Sequence, residues 1–199
     1  MSLELRIDDY ASIQSALELL GVGFPEAYFT SRSIVQPPEP LWAVYSTFGK
    51  VKIAPAEWGM LPNWDKKQRI TRPLTIARTE TIHERVSFKS LIRRYRAIIA
   101  VNGFTIRTTK HGMTHGTTLQ HRNNEAFLLG ALYQFNVDGN MQVALLTKSQ
   151  RLTNIKKTIR LPLFIEQKQC RTWLKCVKIN TIDSLMQDCD THQLRFLQQ

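Results

Sequence analysis

Two short segments carry side chains whose types and spacing could do chemistry. The first contains Arg78 and Glu80, which share one face of a strand if residues 74–80 are extended. An ion pair between them would hold the Arg78 guanidinium still, and a fixed guanidinium binds phosphate well. The second is the aromatic turn between Trp58 and Trp64, which could stack an unpaired base. A structural salt bridge and ordinary packing are the alternative interpretations of the two segments.

The charge of the chain is strongly basic and unevenly distributed. Among 199 residues there are 27 Lys and Arg against 16 Asp and Glu, which gives a net charge of +11. Residues 65–96 contain ten basic and three acidic side chains, and residues 151–178 contain eight and one. Localised positive charge is typical of nucleic-acid binding, because neutralised phosphates release counterions. A solvated basic surface without a partner, or one attracted to anionic lipid, is the weaker alternative.

The composition indicates a folded globular domain and excludes several classes of protein. Hydrophobic residues make up 43% and charged residues 22%, close to the average of soluble domains. No apolar run reaches the roughly 18 residues that a membrane-spanning helix needs, and the N-terminus lacks the apolar region of a signal peptide. We therefore expect one domain over residues 1–199, cytoplasmic or nucleoid-associated. We also expect it to be monomeric, without a membrane partner and without a cofactor.

Cysteine and histidine do not form a recognisable metal or disulfide pattern. The three cysteines are Cys170, Cys176 and Cys189. Their odd number and the absence of C-x-x-C spacing indicate reduced thiols. His111, His115 and His121 lie in a Gly- and Thr-rich stretch without a neighbouring carboxylate or thiol. This stretch is predicted to be a solvated hairpin loop, and no metal site is predicted.

The elements that would position the candidate side chains are strands in the middle of the chain and helices near its ends. Hydrophobic spacing and an N-cap at Asp8 or Asp9 predict a helix over residues 8–21. Strands are predicted at residues 41–47, 51–54, 74–80, 97–101, 104–109, 126–135 and 141–147, with a hairpin turn at 138–139. Short helices are predicted at residues 88–94, 169–175 and 182–187. The pattern indicates the α+β class.

Read in order, these segments resemble the SRAP family, the SOS response-associated peptidase fold. The family's W-G-L-[IV]-P-x-W pattern corresponds to residues 58–64, N-A-R-x-E-T to 76–81, S-F-R to 87–89, and D-G-F-Y-E-W to the stretch beginning at 102. Residues 32–37, 93–96, 126–133 and 159–162 supply further matches in the family's order. The resemblance covers about residues 6–174. It implies a single domain built on a mostly antiparallel curved sheet or open barrel, acting in the response to DNA damage.

The resemblance also implies a covalent reaction whose residues are missing here. Family members carry a cysteine after the initiator methionine that forms a thiazolidine with an abasic-site aldehyde, supported by Asn, Glu and His. The matching positions hold Glu4, Ile76, Ile106 and Thr158. Thiazolidine closure needs a thiol and an α-amine on one residue, and isoleucine cannot exchange a proton. We therefore predict no catalytic residue and no covalent cross-link, although the family name implies a hydrolase or lyase.

What persists, according to the resemblance, is the binding half of the site. Arg6, Arg78 and Arg160 match arginines that line the family's DNA channel, and Arg85 matches a position that is usually basic. The predicted DNA-binding set also includes Arg93, Arg94, Arg96, Trp58 and Trp64, with Glu80 in support. The sequence thus predicts a protein that binds single-stranded or damaged DNA, such as abasic or gapped DNA, without cross-linking.

Two other interpretations follow from the same residues. In one, the fold is a catalytically inactive module that recruits a protein partner. In the other, an enzyme uses relocated chemistry, with Glu80 or a histidine among His83, His111 and His115. Salt separates DNA binding from the first alternative, because only contacts with phosphates must weaken steeply as the salt concentration rises.

Overall fold

One long strand, β10, organises the fold. The computed structural model describes residues 2–61, 71–110, 113–152, 157–187 and 193–197. Strand β10 spans Met141–Leu152. Its first half pairs antiparallel with β9 (Phe127–Phe135) and parallel with β4 (Lys50–Trp58). Its second half pairs parallel with β5 (Ile76–Arg78) and antiparallel with β11 (Lys157–Pro162). Both edges of β10 are therefore occupied, by different strands in each half.

The first half of β10 closes a small barrel. Strand β3 (Pro40–Thr47) pairs with β4 on one side and with β6 (Arg96–Val101) on the other. Strand β6 pairs with β9, and β9 returns to β10. All six residues of β6 are buried, because both faces of the strand are covered. A strand buried on both faces reads in the sequence as a continuous apolar run, which is how this one was predicted.

A second, antiparallel sheet has the strand order β12-β8-β7-β1-β2. The bounds of its strands are Ser2–Ile7 for β1, Arg32–Val35 for β2, Gly103–Lys110 for β7, Met113–His121 for β8 and Leu194–Leu197 for β12. Leu3 and Leu5 of β1 are buried in the hydrophobic cluster that the strands of both sheets share, and they alternate with the polar residues Glu4 and Arg6. This alternation is typical of a sheet with one face on the core and one polar face.

Three helices and three short 3₁₀ turns complete the described chain. The helices are α1 (Tyr10–Glu18), α2 (Cys170–Lys175) and α3 (Ile179–Gln187), and the 3₁₀ turns are Glu26–Tyr28, Thr79–Thr81 and Gln167–Gln169. Asp9 caps α1 by accepting a hydrogen bond from the Ser12 N–H at 3.3 Å. Among the described residues, no helix has both the length and the apolar character that crossing a bilayer requires.

The α+β class and the predominance of antiparallel strands are confirmed, but three predicted segments differ. Residues 88–94 form turns in which bonds to the third and the fourth preceding residue alternate, so no regular helix propagates there. The strand predicted at 74–80 is reduced to β5, because the chain enters a 3₁₀ turn directly after Arg78. The stretch around His115 and His121, predicted as a loop, is strand β8. His111 lies outside the described residues.

Arg96, predicted to contact DNA, is instead an internal anchor. Its side chain is only 1% exposed, and its guanidinium donates to the carbonyl oxygens of Ile92 at 2.7 Å, Trp173 at 2.6 Å and Cys176. The guanidinium also lies 5.6 Å from the Trp173 ring centroid. Burial lowers the pKa of Arg96 to about 10, which leaves it charged at neutral pH. The prediction that Arg96 binds DNA is wrong, because its donors are used to hold α2 against β6.

We expect Arg96→Ala to lower the free energy of unfolding by at least about 3 kcal/mol, because three carbonyl groups lose their donor. Arg96→Lys should lose less, since an ammonium group keeps the charge and part of the hydrogen bonding. Urea denaturation measures both changes. The matched control is Arg93→Ala at an exposed position, which should stay within about 0.5 kcal/mol. Equal stability of the two alanine variants would refute the anchoring role.

Candidate nucleic-acid interface

Beyond the barrel, β5, β10 and β11 form a small three-stranded platform. Arg78 on β5 lies opposite Thr147 on β10. Arg160 on β11 lies opposite Ser149, two residues further along β10. Residues opposite one another share a face of a sheet, and so do alternate residues of one strand. The register therefore brings Arg78, Thr147, Ser149 and Arg160 onto one face.

Glu80 and Arg160 form a two-pronged ion pair at the edge of this platform. The Arg160 Nη1 donates to Glu80 Oε2 at 3.0 Å, and Nη2 donates to Oε1 at 3.2 Å. The Ser149 N–H donates to the same Oε1 at 2.7 Å, and Arg160 Nη2 donates to the Ser149 hydroxyl at 2.8 Å. The planar guanidinium of arginine suits such a bidentate contact, and two parallel hydrogen bonds restrict its rotation. Arg160 is consequently fixed in place.

The same contacts set the protonation of Glu80. Partial burial acts to raise the pKa of Glu80, but the hydrogen bonds from Arg160 and from the Ser149 N–H outweigh it. The pKa therefore falls from 4.5 to about 2. A carboxylate with so low a pKa is a poor proton acceptor at neutral pH. This argues against Glu80 as a relocated catalytic base.

Arg78 stands free beside this ion pair. It is exposed, and within the described part of the chain its side chain has no hydrogen-bond or ion-pair partner. The predicted pairing of Arg78 with Glu80 is therefore wrong. Its premise was an extended chain through residue 80, whereas the 3₁₀ turn after Arg78 carries Glu80 toward β11. An exposed guanidinium without a partner keeps its full charge available to a ligand.

The platform includes one cation that the sequence analysis did not select. Arg151 of β10 is exposed and lies opposite Thr158 of β11. It falls on the same face as Thr147 and Ser149, because the three residues alternate along one strand. We call Arg78, Arg151 and Arg160, with Glu80, the arginine platform. The alternation in Thr147-Lys148-Ser149-Gln150-Arg151 was a usable signal, had β10 been predicted to extend past residue 147.

The other predicted DNA-binding residues are distributed elsewhere. Arg6 lies on the second sheet and forms an ion pair with Asp8. Arg85, Arg93 and Arg94 are exposed in the turns of residues 82–95, and the last two lie beside the β3–β4 turn. Strand pairing thus unites Arg78 with Arg160 but places Arg6 on a different sheet.

Of the two tryptophans predicted to stack on a base, Trp58 lies in the described structure. Trp58 is fully buried, and its indole N–H donates to the carbonyl oxygen of Thr75 at 3.0 Å. The prediction of base stacking is therefore wrong for Trp58, because its ring is a core side chain. Trp64 lies outside the described residues.

Two of the three histidines proposed for relocated chemistry, His83 and His115, lie in the described part of the chain, on different elements. His83 Nε2 lies 2.7 Å from Asp183 Oδ1, an ion pair when the imidazole is protonated. His115 is exposed on β8 of the second sheet. Within the described ranges, no group of three His, Cys, Asp or Glu side chains is placed to hold a metal ion.

Comparison with known proteins agrees with this architecture. The family model described as SOS response associated peptidase (SRAP) matches residues 9–198. The chain belongs to this family. A curated relative, the abasic site processing protein YoaM of Bacillus subtilis (strain 168), is 27% identical over 81 residues. That match covers 41% of this chain and 36% of YoaM, so it spans little more than a third of the relative's length.

Solved structures share the SRAP fold of this chain at low sequence identity. A protein from Bacteroides thetaiotaomicron has a TM-score of 0.76 at 15% identity, covering 98% of this chain and 90% of its own. A protein from Bordetella bronchiseptica also has a TM-score of 0.76, at 14% identity and 98% coverage of both chains. A phage-related protein from the same organism has a TM-score of 0.76 at 12% identity, covering 99% of this chain and 93% of its own.

Two of the four positions matched to the SRAP reaction lie on the face of the arginine platform. Ile76 precedes Arg78 by two residues on β5 and packs partly against the core. Thr158 precedes Arg160 by two residues on β11 and is exposed. The strand pairing that unites the two arginines therefore also brings together the two positions that the resemblance matches to the family's Asn and His. The side chains present there exchange no proton at neutral pH.

The other two positions lie on opposite faces of the second sheet. Ile106 is buried and lies opposite Leu3 of β1, whereas Glu4 lies opposite Thr105 on the other face. The buried Glu4 carboxylate accepts hydrogen bonds from Gln36 Nε2 at 2.5 Å and Arg107 Nε at 2.6 Å. The hydrogen bond between Arg107 and Glu4, together with the negative charge of Glu4, raises the pKa of Arg107. Glu4 is thus a fixed structural carboxylate, and neither it nor Leu3 supplies a thiol.

The low pKa of Glu80 predicts a pH dependence of stability. Unfolded Glu80 takes its ordinary pKa of 4.5, so the contribution of the ion pair is complete above that pH. It is lost as the pH falls from about 4.5 toward about 2. The unaltered protein should lose unfolding free energy across this window, and Glu80→Gln should remove that loss. The difference should be about 1 kcal/mol or less, because the carboxylate is 40% exposed and screened.

Urea denaturation at several pH values measures this change. The matched control is Glu84→Gln, which removes an exposed carboxylate from the same segment and should leave the dependence of unfolding free energy on pH unchanged. If this dependence were the same in the Glu80→Gln variant as in the unaltered protein, the low pKa of Glu80 would be contradicted.

Proposed function

We propose that this SRAP-family protein binds single-stranded or damaged DNA, such as abasic or gapped DNA, and does so without forming a covalent cross-link. The observation that carries the proposal is the exposed Arg78, which has no partner among the described residues, beside the fixed Arg160 on one face of the platform. The name of its relative YoaM, an abasic site processing protein, supports DNA damage as the setting. A cytoplasmic or nucleoid-associated location would follow from such a substrate.

The charges of the arginine platform fit a phosphate backbone. Three guanidinium groups lie on one face, and Glu80 neutralises only one of them. The bond to Glu80 keeps Arg160 oriented, while Arg78 and Arg151, which form no ion pair with any described residue, can bind anions. Charge-assisted bonds from arginine to phosphate are short and strong. Such contacts position a strand irrespective of its sequence.

The residues at the four reaction positions support binding without chemistry. The family reaction needs a thiol, and position 4 holds a buried carboxylate with two hydrogen-bond donors attached. Ile76 and Ile106 are apolar, so they can neither donate nor accept a proton. The site therefore keeps cations that attract DNA while lacking the groups that would trap an aldehyde.

If four to six phosphates are contacted, the logarithm of the binding constant should fall with the logarithm of salt concentration at a slope of about −3 to −4. Arg78→Ala should weaken binding and reduce the magnitude of this slope by about 0.7, because one phosphate contact is lost. Fluorescence anisotropy with a labelled single strand measures both quantities. The matched control is Arg171→Ala on α2, an exposed arginine away from the platform. Binding that ignores salt would overturn the proposal.

We further expect no heat- and SDS-stable adduct with abasic single-stranded DNA. Intact and abasic strands should shift alike on a native gel, and both should be free on a denaturing gel. A weak band that appears only after borohydride reduction would report a Schiff base from an amine, which is not thiazolidine chemistry. A stable adduct without reductant would show that the reaction is retained.

A further inference from the structure

An aromatic ring stands fully exposed at the tip of the β3–β4 hairpin. Phe48 has 100% of its side chain accessible and forms a two-residue turn with Gly49. Both residues have positive φ, 47° for Phe48 and 74° for Gly49. Two-residue turns of this kind favour Asn at the first position, and positive φ is unfavourable for a bulky side chain. The Phe48 ring does not pack in the core, and the positive φ at this position is unfavourable for phenylalanine.

Positive side chains surround this ring. A shallow cavity of about 180 Å³ is lined by Phe48, Arg93, Arg94 and Lys175, among others. The three segments that meet here, residues 46–52, 93–96 and 174–178, contain seven Lys or Arg and no Asp or Glu. Arg96 is the buried one. We define the Phe48 surface as Phe48 with the exposed cations Lys50, Lys52, Arg93, Arg94, Lys175 and Lys178.

The charges of the Phe48 surface are uncompensated. None of its six cations forms an ion pair with another residue of the described ranges. Like charges gathered without counter-charges repel one another, so this surface favours an anionic partner. The partner must also offer a flat or apolar group to the ring at the tip.

We propose that the Phe48 surface is a second DNA contact, at which Phe48 stacks against an unpaired base while the neighbouring cations bind the flanking phosphates. The proposal rests on the proposed function and adds a base-stacking site to it. Aromatic side chains set in a basic groove are the common means of binding single strands without sequence preference. The tight turn fixes the backbone from which the ring projects, so stacking costs mainly the rotamer freedom of one side chain.

The shape of the surface favours a nucleic acid over a lipid bilayer. Membrane-surface binding uses a continuous apolar face that enters the acyl region. Here the most exposed apolar side chains of the three segments are Phe48 and Val177, in the described part of the chain, and the half-exposed Tyr95 packs its ring against Tyr133. A single ring at the hairpin tip matches a single base, and the neighbouring cations match the phosphates that flank that base.

Phe48→Asn tests the proposal with a variant that should fold at least as well as the unaltered protein. Asn accepts positive φ, so the melting temperature should stay equal or rise. The dissociation constant for a labelled mixed-sequence single strand should rise about 5- to 150-fold, which is the effect expected when stacking on one base is lost. Phe48→Trp should retain affinity. The matched control is Val137→Asn, which removes another 95% exposed apolar side chain from a turn and should change nothing.

The outcomes separate this inference from the proposed function. If the unaltered protein binds no single strand, both fail. If Arg78→Ala weakens binding while Phe48→Asn behaves like Val137→Asn, only the Phe48 contact is overturned. If Phe48→Asn abolishes binding to phosphatidylserine vesicles and leaves DNA affinity unchanged, the surface binds lipid and the inference is wrong.

Discussion

The pairing of β10 with four different strands is the constraint on which the structure depends. Its first half closes the barrel between β9 and β4, and its second half holds β5 and β11. Because side chains alternate along a strand, one backbone register fixes both the buried residues of the barrel and the face that carries the arginines. A one-residue slip in only one of the pairings of β10 with β5 and β11 would place Arg78 and Arg160 on opposite faces.

Arginine has three separate roles in this protein, and the differences come from the partners it finds. Arg96 is enclosed and donates to backbone carbonyl groups. Arg160 is oriented by a carboxylate, and Arg78 has no partner in the described chain. Only the last role leaves the whole guanidinium available to a ligand. Counting positive charge in a segment therefore overestimates the charge that a nucleic acid can reach.

The sequence was most informative for elements whose own residues show a clear hydrophobic pattern. Continuous apolar runs predicted β6 and β9, and helical hydrophobic spacing with an N-cap predicted α1. Strands β1, β2, β8, β11 and β12 were missed, and all of them except β11 pair with a strand that is distant in the sequence. Tertiary pairing, rather than local preference, decides such strands.

For the candidate site, the sequence selected two of the three arginines that lie on the platform, but not their contacts. Arg78 and Arg160 were selected from the resemblance, and the register of β10 brings them together. The partner of Glu80 could not be predicted, because it depends on a 3₁₀ turn that ends β5 after three residues. The burial of Arg96 and Trp58 was equally invisible, since the groups that cover them come from remote segments.

The anchoring of Arg96 has a consequence for the order in which the chain can assemble during synthesis. Two of its three acceptors, Trp173 and Cys176, follow it by 77 and 80 residues. While the ribosome makes the intervening strands, this guanidinium must stay hydrated at the wall of an unfinished barrel. Domains fold as units once their distant contacts exist. The Arg96 guanidinium can therefore be fully buried only after α2 has been synthesised. A chain released before that point would be incompletely folded and subject to chaperones and proteases.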